Sequence, residues 1–306
     1  MIRIGSRGSQ LALWQAHHIA ALLREQGHEV EIEVIKTTGD RMQEMTFAEV
    51  GSKGMFTLEI EEALSDGRID LAVHSLKDLP TELPPQFALG ATPKRVDPRD
   101  VFVSRDFASL QELPEGARVG TSSLRRRAQL RNLRPDLEYV EFRGNVDTRL
   151  RKLDEGQAEA ILLAAAGLDR LEKTEWIRER LQPDVVCPSA GQGALGIEIR
   201  AGDTRMVEAV AFLDDPETRF AVTAERKALA ALGGGCQVPI GVHCWRPPLE
   251  AADHVFEIFG AVADPQGTQV IRDSMRGNDA EELGLLIAGL LLSKGARKLL
   301  AGIGTQ

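Results

Sequence analysis

The sequence predicts an α/β protein of two lobes joined by two hinge crossings, followed by a small α+β domain. Three observations predict it. Short apolar strands alternate with amphipathic helices through most of the chain, the pattern that builds largely parallel sheets. Two punctuated connectors interrupt the alternation: T-P-K-R-V-D-P-R-D at 92–100 and P-D-V-V-C-P-S-A-G-Q-G-A-L-G at 183–196. Each suits a passage between lobes better than a lobe interior. Beyond residue 216 the character changes to strands followed by one long amphipathic helix. The expected domains are 1–95 with 194–215, then 99–189, then 216–306.

In the first lobe, Ile2–Gly5 reads as a strand feeding the loop Ser6-Arg7-Gly8-Ser9. A helix follows, with Leu11, Leu13, Trp14, Ile19, Leu22 and Leu23 as its apolar side. Ser9 suits the N-cap, and unpaired N–H groups at a helix start form an anion site beside Arg7. A solvated loop arginine is the plainer alternative. In Val30–Thr37, apolar Val30, Ile32 and Val34 alternate with glutamates, the period of a strand. Thr38–Lys53 is polar and aperiodic, which predicts a lid or a partly ordered loop. Gly54–Ser65 is expected to be helical and Ile69–His74 a buried parallel strand. Lys77 and Asp78 then stand just past that strand's carboxyl end, where α/β sheets bind ligands. A simple Lys–Asp pair or turn cap is the alternative.

The second lobe repeats the scheme. Arg118–Gly120 is a strand, Thr121-Ser122-Ser123 a turn, and Leu124–Leu133 a helix that opens with Arg125, Arg126 and Arg127. Tyr139–Phe142 leads through Arg143-Gly144-Asn145 into a helix at Val146–Asp154 carrying Arg149. Ala160–Ala164 is a buried strand with Arg170 beyond it. Hydroxyl or amide caps and arginines thus gather where strands hand over to helices, so dipole, N–H groups and guanidinium favour one anion. Ile197–Arg200 is expected to return to the first lobe. Pro216–Leu232 is helical, Val238–Trp245, His254–Ala263 and Gln269–Met275 are strands, and Glu281–Leu300 is one long helix.

Composition narrows the function. Net charge is −9, which argues against nucleic-acid binding. Yet residues 118–152 hold ten Arg/Lys against four Asp/Glu, a local excess of six. A solvated basic face is the bland reading. A concentrated arginine cluster in an acidic chain points instead to a small ligand bearing carboxylate or phosphate. Three cysteines (Cys187, Cys236, Cys244) are too few for a disulfide framework and badly spaced for zinc, so no metal is expected. A reduced, cytoplasmic protein is expected, without a secretory leader, without a membrane span, and monomeric because no large apolar face is visible.

Leu232–Gly241 (L-G-G-G-C-Q-V-P-I-G) is the most unusual stretch. A glycine run before Cys236 leaves the thiol presented rather than packed, although a tight turn around a small buried cysteine is an equal alternative. Cys187, after two valines, reads as a packing residue. Among the histidines only His74 lies near the candidate site, and it reads as structural. No G-x-S-x-G, H-E-x-x-H or P-loop is present.

Seven blocks carry a resemblance from end to end. They are G-S-R-G-S-Q-L-A-L-W-Q-A (5–16), A-V-H-S-L-K-D-L-P (72–80), D-P-R-D (97–100), G-T-S-S-L-R-R-R (120–127), R-G-N-V-D-T-R-L (143–150), S-A-G-Q-G-A-L-G-I-E (189–198) and G-G-G-C-Q-V-P-I-G (233–241). The chain resembles the porphobilinogen deaminases (hydroxymethylbilane synthases). The resemblance implies two periplasmic-binding-protein-like lobes plus a small third domain. It implies a transferase of porphyrin biosynthesis that joins four porphobilinogen molecules into hydroxymethylbilane, releasing ammonia each time. A dipyrromethane primer would be held covalently by Cys236. Asp78 would be catalytic and would touch the cofactor, together with Lys77, Ser123, Arg125, Arg126, Arg143 and Gly144. Substrate and growing oligopyrrole carboxylates would fall to Arg7, Ser9, Arg149, Arg170, Gln192 and Lys53. No obligate protein partner is implied. One departure is visible: Glu49 stands where some members have a lysine, so no role of that lysine carries over. Two other classes remain open. A binding-only clamp would leave Asp78 and Cys236 without a purpose, and a cysteine acyl-transferase would need a base that the sequence does not supply.

Overall fold

The computed structural model describes residues 1–38, 57–234, 238–247 and 255–301. The chain divides into two units, Met1–Val96 with Ala194–Arg219, and Asp97–Gly193 with Phe220–Gln306.

In chain order the first unit begins with β1 (Ile2–Ser6), α1 (Gln10–Glu25), β2 (Val30–Val34), α2 (Leu58–Ser65), β3 (Leu71–Ser75), a 3-10 turn at Leu76–Asp78 and β4 (Phe87–Ala91). The second unit supplies β5 (Asp100–Ser104), β6 (Arg118–Gly120), α3 (Leu124–Leu133), β7 (Glu138–Val140), α4 (Val146–Asp154), β8 (Ala160–Ala164), α5 (Ala165–Arg170) and β9 (Ile177–Arg180). β10 (Leu195–Arg200) and α6 (Thr204–Val210) belong to the first unit again. α7 (Pro216–Ala231), β11 (Ile240–Trp245), β12 (Phe256–Ala263), β13 (Val270–Gly277), α8 (Ala280–Ser293) and α9 (Ala296–Leu300) complete the described chain.

The first sheet has the order β2-β1-β3-β10-β4. β1, β2 and β3 run parallel, and β10 is antiparallel to both its neighbours. The parallel strands are buried between helices, which is why β3 reads as an unbroken apolar run before His74. One face packs Ile4, Val73 and Ile197 against Ala16, Ile19 and Leu23 of α1. The other packs Ala72 against Ile60, Ala63 and Leu64 of α2. Ile19 and Leu23 are fully buried, and each such side chain contributes about 1.5–3 kcal/mol.

The second sheet, β7-β6-β8-β5-β9, repeats that plan, with β6, β7 and β8 parallel and β5 antiparallel to its neighbours. Two apolar clusters cover its faces, one around Phe102, Leu130 and Leu162, the other around Val101, Phe142 and Leu163. In the same unit the antiparallel sheet β11-β12-β13 is covered by α7 and α8, through Ala224, Ala228, Leu283, Ile287 and Leu291.

Two expectations change. Asp100 is not part of the connector: it opens β5 and is fully buried. The last helix is not continuous to Leu300. It stops at Ser293, and Gly295 takes φ +104° before α9 begins. That left-handed conformation favours glycine and ends a helix. Sequence periodicity also passes over β4, β5, β9, α5 and α6, all short elements. The lid expected at 38–53 lies outside the described residues beyond Thr38.

Candidate active site

The first unit gathers its predicted residues where β1 and β3 end. Ser9 caps α1, its Oγ accepting from the Ala12 N–H at 3.3 Å. Gln15, buried on α1, donates from Nε2 to Ser75 Oγ at 2.7 Å, pinning the helix to the end of β3. A cavity of about 70 Å³ lies here. Arg7, Ser9, Gln15, Thr57, His74, Ser75 and Asp78 give its polar lining, and Leu11, Ala12, Ile60 and Val73 the apolar part. Asp78 is exposed, and its carboxylate has no hydrogen-bond partner among the described residues. Lys77 is half-buried beside it.

Behind the cavity, His74 Nε2 lies 3.0 Å from Glu198 Oε2. Strand register explains the meeting: Glu198 on β10 faces Ala72, two residues from His74 on the same face of β3. Glu198 is fully buried, and its second oxygen, Oε1, has no partner among the described residues. Glu61 of α2 is pushed above the usual carboxyl range, first by burial and then by the charge of Glu198.

The second unit gathers its residues at the carboxyl edge of β6, β7 and β8. Ser123 caps α3, accepting from the Arg126 N–H at 3.4 Å, and Asn145 caps α4, accepting from the Thr148 N–H at 2.9 Å. Asp100 faces Ala164 in register, so the amino end of β5 lies at this same edge. There it receives both arginines. Arg125 Nη1 donates to Asp100 Oδ2 at 2.7 Å and to the Cys187 carbonyl at 2.5 Å. Arg126 donates to Asp100 Oδ1 from Nη2 at 2.7 Å and from Nε at 3.0 Å. Buried Gln192 adds Nε2 to Asp100 Oδ1 at 2.8 Å and to the Pro98 carbonyl at 2.7 Å. Burial alone would raise the Asp100 carboxyl, but the two guanidinium groups outweigh it and hold it far below the usual range. Burial also draws Arg126 below the usual arginine range, with Arg125 acting in the same sense and Asp100 opposing.

Arg149 differs. Its Nε is buried without a partner among the described residues, and burial followed by the charge of Arg126 pushes its guanidinium down to about 10. It stays charged at neutral pH, poorly hydrated and near another cation, a state that a bound anion would relieve. Ser122 Oγ and Arg127 Nε are likewise buried without partners among the described residues. Arg170 is buried, donates to the Gly193 carbonyl at 2.8 Å, and is pushed down to about 10 by burial. Arg143 Nε donates to Glu141 at 2.8 Å. Gly144 holds φ +116°, and a Cβ there would come within 2.6 Å of Thr148 Cγ2, so the turn into α4 requires glycine.

The structure therefore brings Arg7, Ser9, Lys77 and Asp78 to one sheet edge, and Ser123, Arg125, Arg126, Arg143, Gly144, Arg149, Arg170 and Gln192 to the corresponding region of the other unit. Cys236 and Lys53 lie outside the described residues. Sequence reading gave Asp100 no role. Its signal was an acid heading the apolar run V-F-V-S, a position that becomes buried and needs a cation. For Arg149→Leu the expected outcome is an unchanged or slightly higher melting temperature, since a half-buried charge whose buried Nε has no described partner is removed. Thermal denaturation measures it, and a large fall would show a structural partnership.

Residues 2–208 match the family described as porphobilinogen deaminase, dipyromethane cofactor binding domain, and residues 219–293 match porphobilinogen deaminase, C-terminal domain. The chain is 50% identical over 308 aligned residues to a protein named porphobilinogen deaminase from Nitratidesulfovibrio vulgaris, covering 98% of this chain and 96% of that one. It is 49% identical over 306 residues to the protein of that name from Roseiflexus castenholzii, covering 98% and 99%. Solved structures similar to it include an ABC transporter periplasmic substrate-binding protein from Coxiella burnetii, at 16% identity and TM-score 0.44, covering 72% of this chain and 94% of that one. With both family domain descriptions matched and about half of its residues shared with these relatives, the chain belongs to the porphobilinogen deaminase family.

Proposed function

We propose that the chain joins four porphobilinogen molecules head to tail into hydroxymethylbilane, releasing ammonia at each step, on a dipyrromethane primer carried by Cys236. The observation that carries the reading is the Asp78 carboxylate, unpaired among the described residues at the end of β3, on the wall of a cavity that also presents Arg7 and Ser9. Such a carboxylate can accept pyrrole N–H bonds. It can also stabilise the azafulvene cation left on porphobilinogen when ammonia departs.

The second unit fits a polycarboxylate. Buried donors at Arg149 Nε and Ser122 Oγ have no partner among the described residues, and Gly144 leaves the backbone open where a side chain would intrude. Lys77, Asp78, Ser123, Arg125, Arg126, Arg143 and Gly144 would hold the dipyrromethane, which would supply the free pyrrole carbon that the first new ring joins. Arg7, Ser9, Lys53, Arg149, Arg170 and Gln192 would meet substrate and oligopyrrole carboxylates, since guanidinium forks pair with them in two bonds. Arg125 and Arg126 have a second task in this reading, because Asp100 already orders them.

The same reading takes the chain as three domains (1–95 with 194–215, 99–189, 216–306), a division supported by separate apolar cores. It places the protein in the cytoplasm as a monomer, with no nucleic-acid, membrane or obligate protein partner. The buried Cys187, outside any disulfide among the described residues, and a net charge of −9 support this. Among the described residues no helix is long and apolar enough to cross a membrane.

Intact-mass measurement tests the function. The purified protein is expected to be heavier than its sequence by two pyrrole units, and Cys236→Ser to lack the increment. An unmodified protein that still makes hydroxymethylbilane would overturn the anchor.

A further inference from the structure

Nothing in the reading above uses His74, yet its position is specific. It is the last buried residue of β3 before the turn that carries Asp78, and its imidazole lines the same cavity. Glu198 takes one ring nitrogen, Nε2, at 3.0 Å; in the neutral ring, with the carboxylate accepting, that bond puts the hydrogen on Nε2 and the lone pair on Nδ1. Nδ1 has no hydrogen-bond partner among the described residues. It is the polar atom that the ring has left to offer the cavity.

Glu198 is an expensive support for a merely filled space. It is fully buried, one oxygen is unpartnered among the described residues, and Glu61 stands close enough to feel its charge. Burying a carboxylate with so few partners costs more than an apolar pair would. What the arrangement does supply is one imidazole tautomer in one orientation, by the carboxylate-to-histidine bond that fixes histidines in many sites.

We propose that His74 is a positioning residue for the departing ammonia, its Nδ1 accepting an N–H of the aminomethyl ammonium of porphobilinogen while Asp78 faces the cation that forms. The proposal rests on the function argued above. The cavity suits it in size and in polarity. About 70 Å³ admits a small polar group or a few waters rather than a whole pyrrole ring. Its lining combines Asp78 and His74 with the Arg7–Ser9 loop, matching a substrate that bears an ammonium group and carboxylates. The step balances without a co-reactant. The C–N bond breaks, its electron pair leaves with nitrogen as neutral ammonia, and the ring keeps the positive charge as azafulvenium. Nδ1 takes no proton in this step. It directs the C–N bond and stays an acceptor for the ammonia formed.

Two substitutions separate this role from simple packing. His74→Gln can keep a donor for Glu198 but has no polar atom at the Nδ1 position. His74→Asn keeps an acceptor near Nδ1 but gives up Glu198. Wild type and both variants would be compared for ammonia-release kinetics, melting temperature and cofactor mass. The Gln variant is expected to keep its cofactor and melting temperature while kcat falls about 10- to 100-fold, the worth of one hydrogen bond to a charged group. The Asn variant, though less stable, is expected to turn over faster than the Gln variant. Wild-type turnover in the Gln variant, or equal losses in both, would overturn the proposal in favour of a role confined to supporting Glu198. A wild-type protein that releases no ammonia from porphobilinogen would overturn the function itself, and the role of His74 with it.

Discussion

Asp78→Asn is expected to lower the rate of ammonia release by about 100- to 10,000-fold, the range spanned by positioned acid–base and charge-stabilising groups. Fold and cofactor should survive. Asp78 is exposed, and its carboxylate bonds no described residue, so the substitution falls among surface changes that shift stability by about 0.5 kcal/mol or less. Asparagine keeps an oxygen that can accept a pyrrole N–H, but it loses the negative charge. The loss should therefore appear in kcat more than in KM, because the charge matters most when the azafulvenium forms. Single-turnover measurement of ammonia, with intact mass to verify the cofactor, checks it. Near-normal turnover would remove Asp78 from the chemistry and leave it as a binding group.

Much of this site is legible in the sequence, because its residues are local to strand ends. A helix opening with S-L-R-R-R after a short apolar strand already carries its N-cap, its dipole and its cations, and Leu124–Leu133 forms with those limits. Arg118–Gly120, Val146–Asp154 and Ala160–Ala164 likewise keep the predicted bounds. What sequence could not supply was pairing across strands. Asp100 meets Arg126 only because β5 runs antiparallel to β8 and brings its first residue to the edge where α3 begins. His74 meets Glu198 across 124 residues for the same kind of reason, a register between β3 and β10. The helix break at Gly295 was missed on other grounds: apolar spacing continues through Leu299 and Leu300, and only a backbone angle interrupts it.

That cross-strand pairing makes Asp100→Asn the most damaging substitution for the fold. Asp100 is fully buried and accepts from Arg125, Arg126 and Gln192. The amide would leave two buried guanidinium groups facing a neutral oxygen and an N–H₂ donor. Breaking a buried ion pair by removing one partner costs about 3–5 kcal/mol, a large share of the roughly 5–15 kcal/mol that holds a domain together. Arg126→Leu should destabilise for the reciprocal reason, unlike Arg149→Leu, although both arginines stand among the residues proposed to meet pyrrole carboxylates. Acid should distinguish the ionic origin of the loss. The folded-state pKa of Asp100 is depressed, so its contribution is present above the unfolded value of about 3.9 and is lost as pH falls towards the folded value. Between neutrality and pH 5 the gap in melting temperature between wild type and Asp100→Asn should stay constant, and below about pH 4 it should narrow. A gap that is small at neutral pH, or one that does not narrow in acid, would mean that packing rather than charge holds the carboxyl edge of the second sheet.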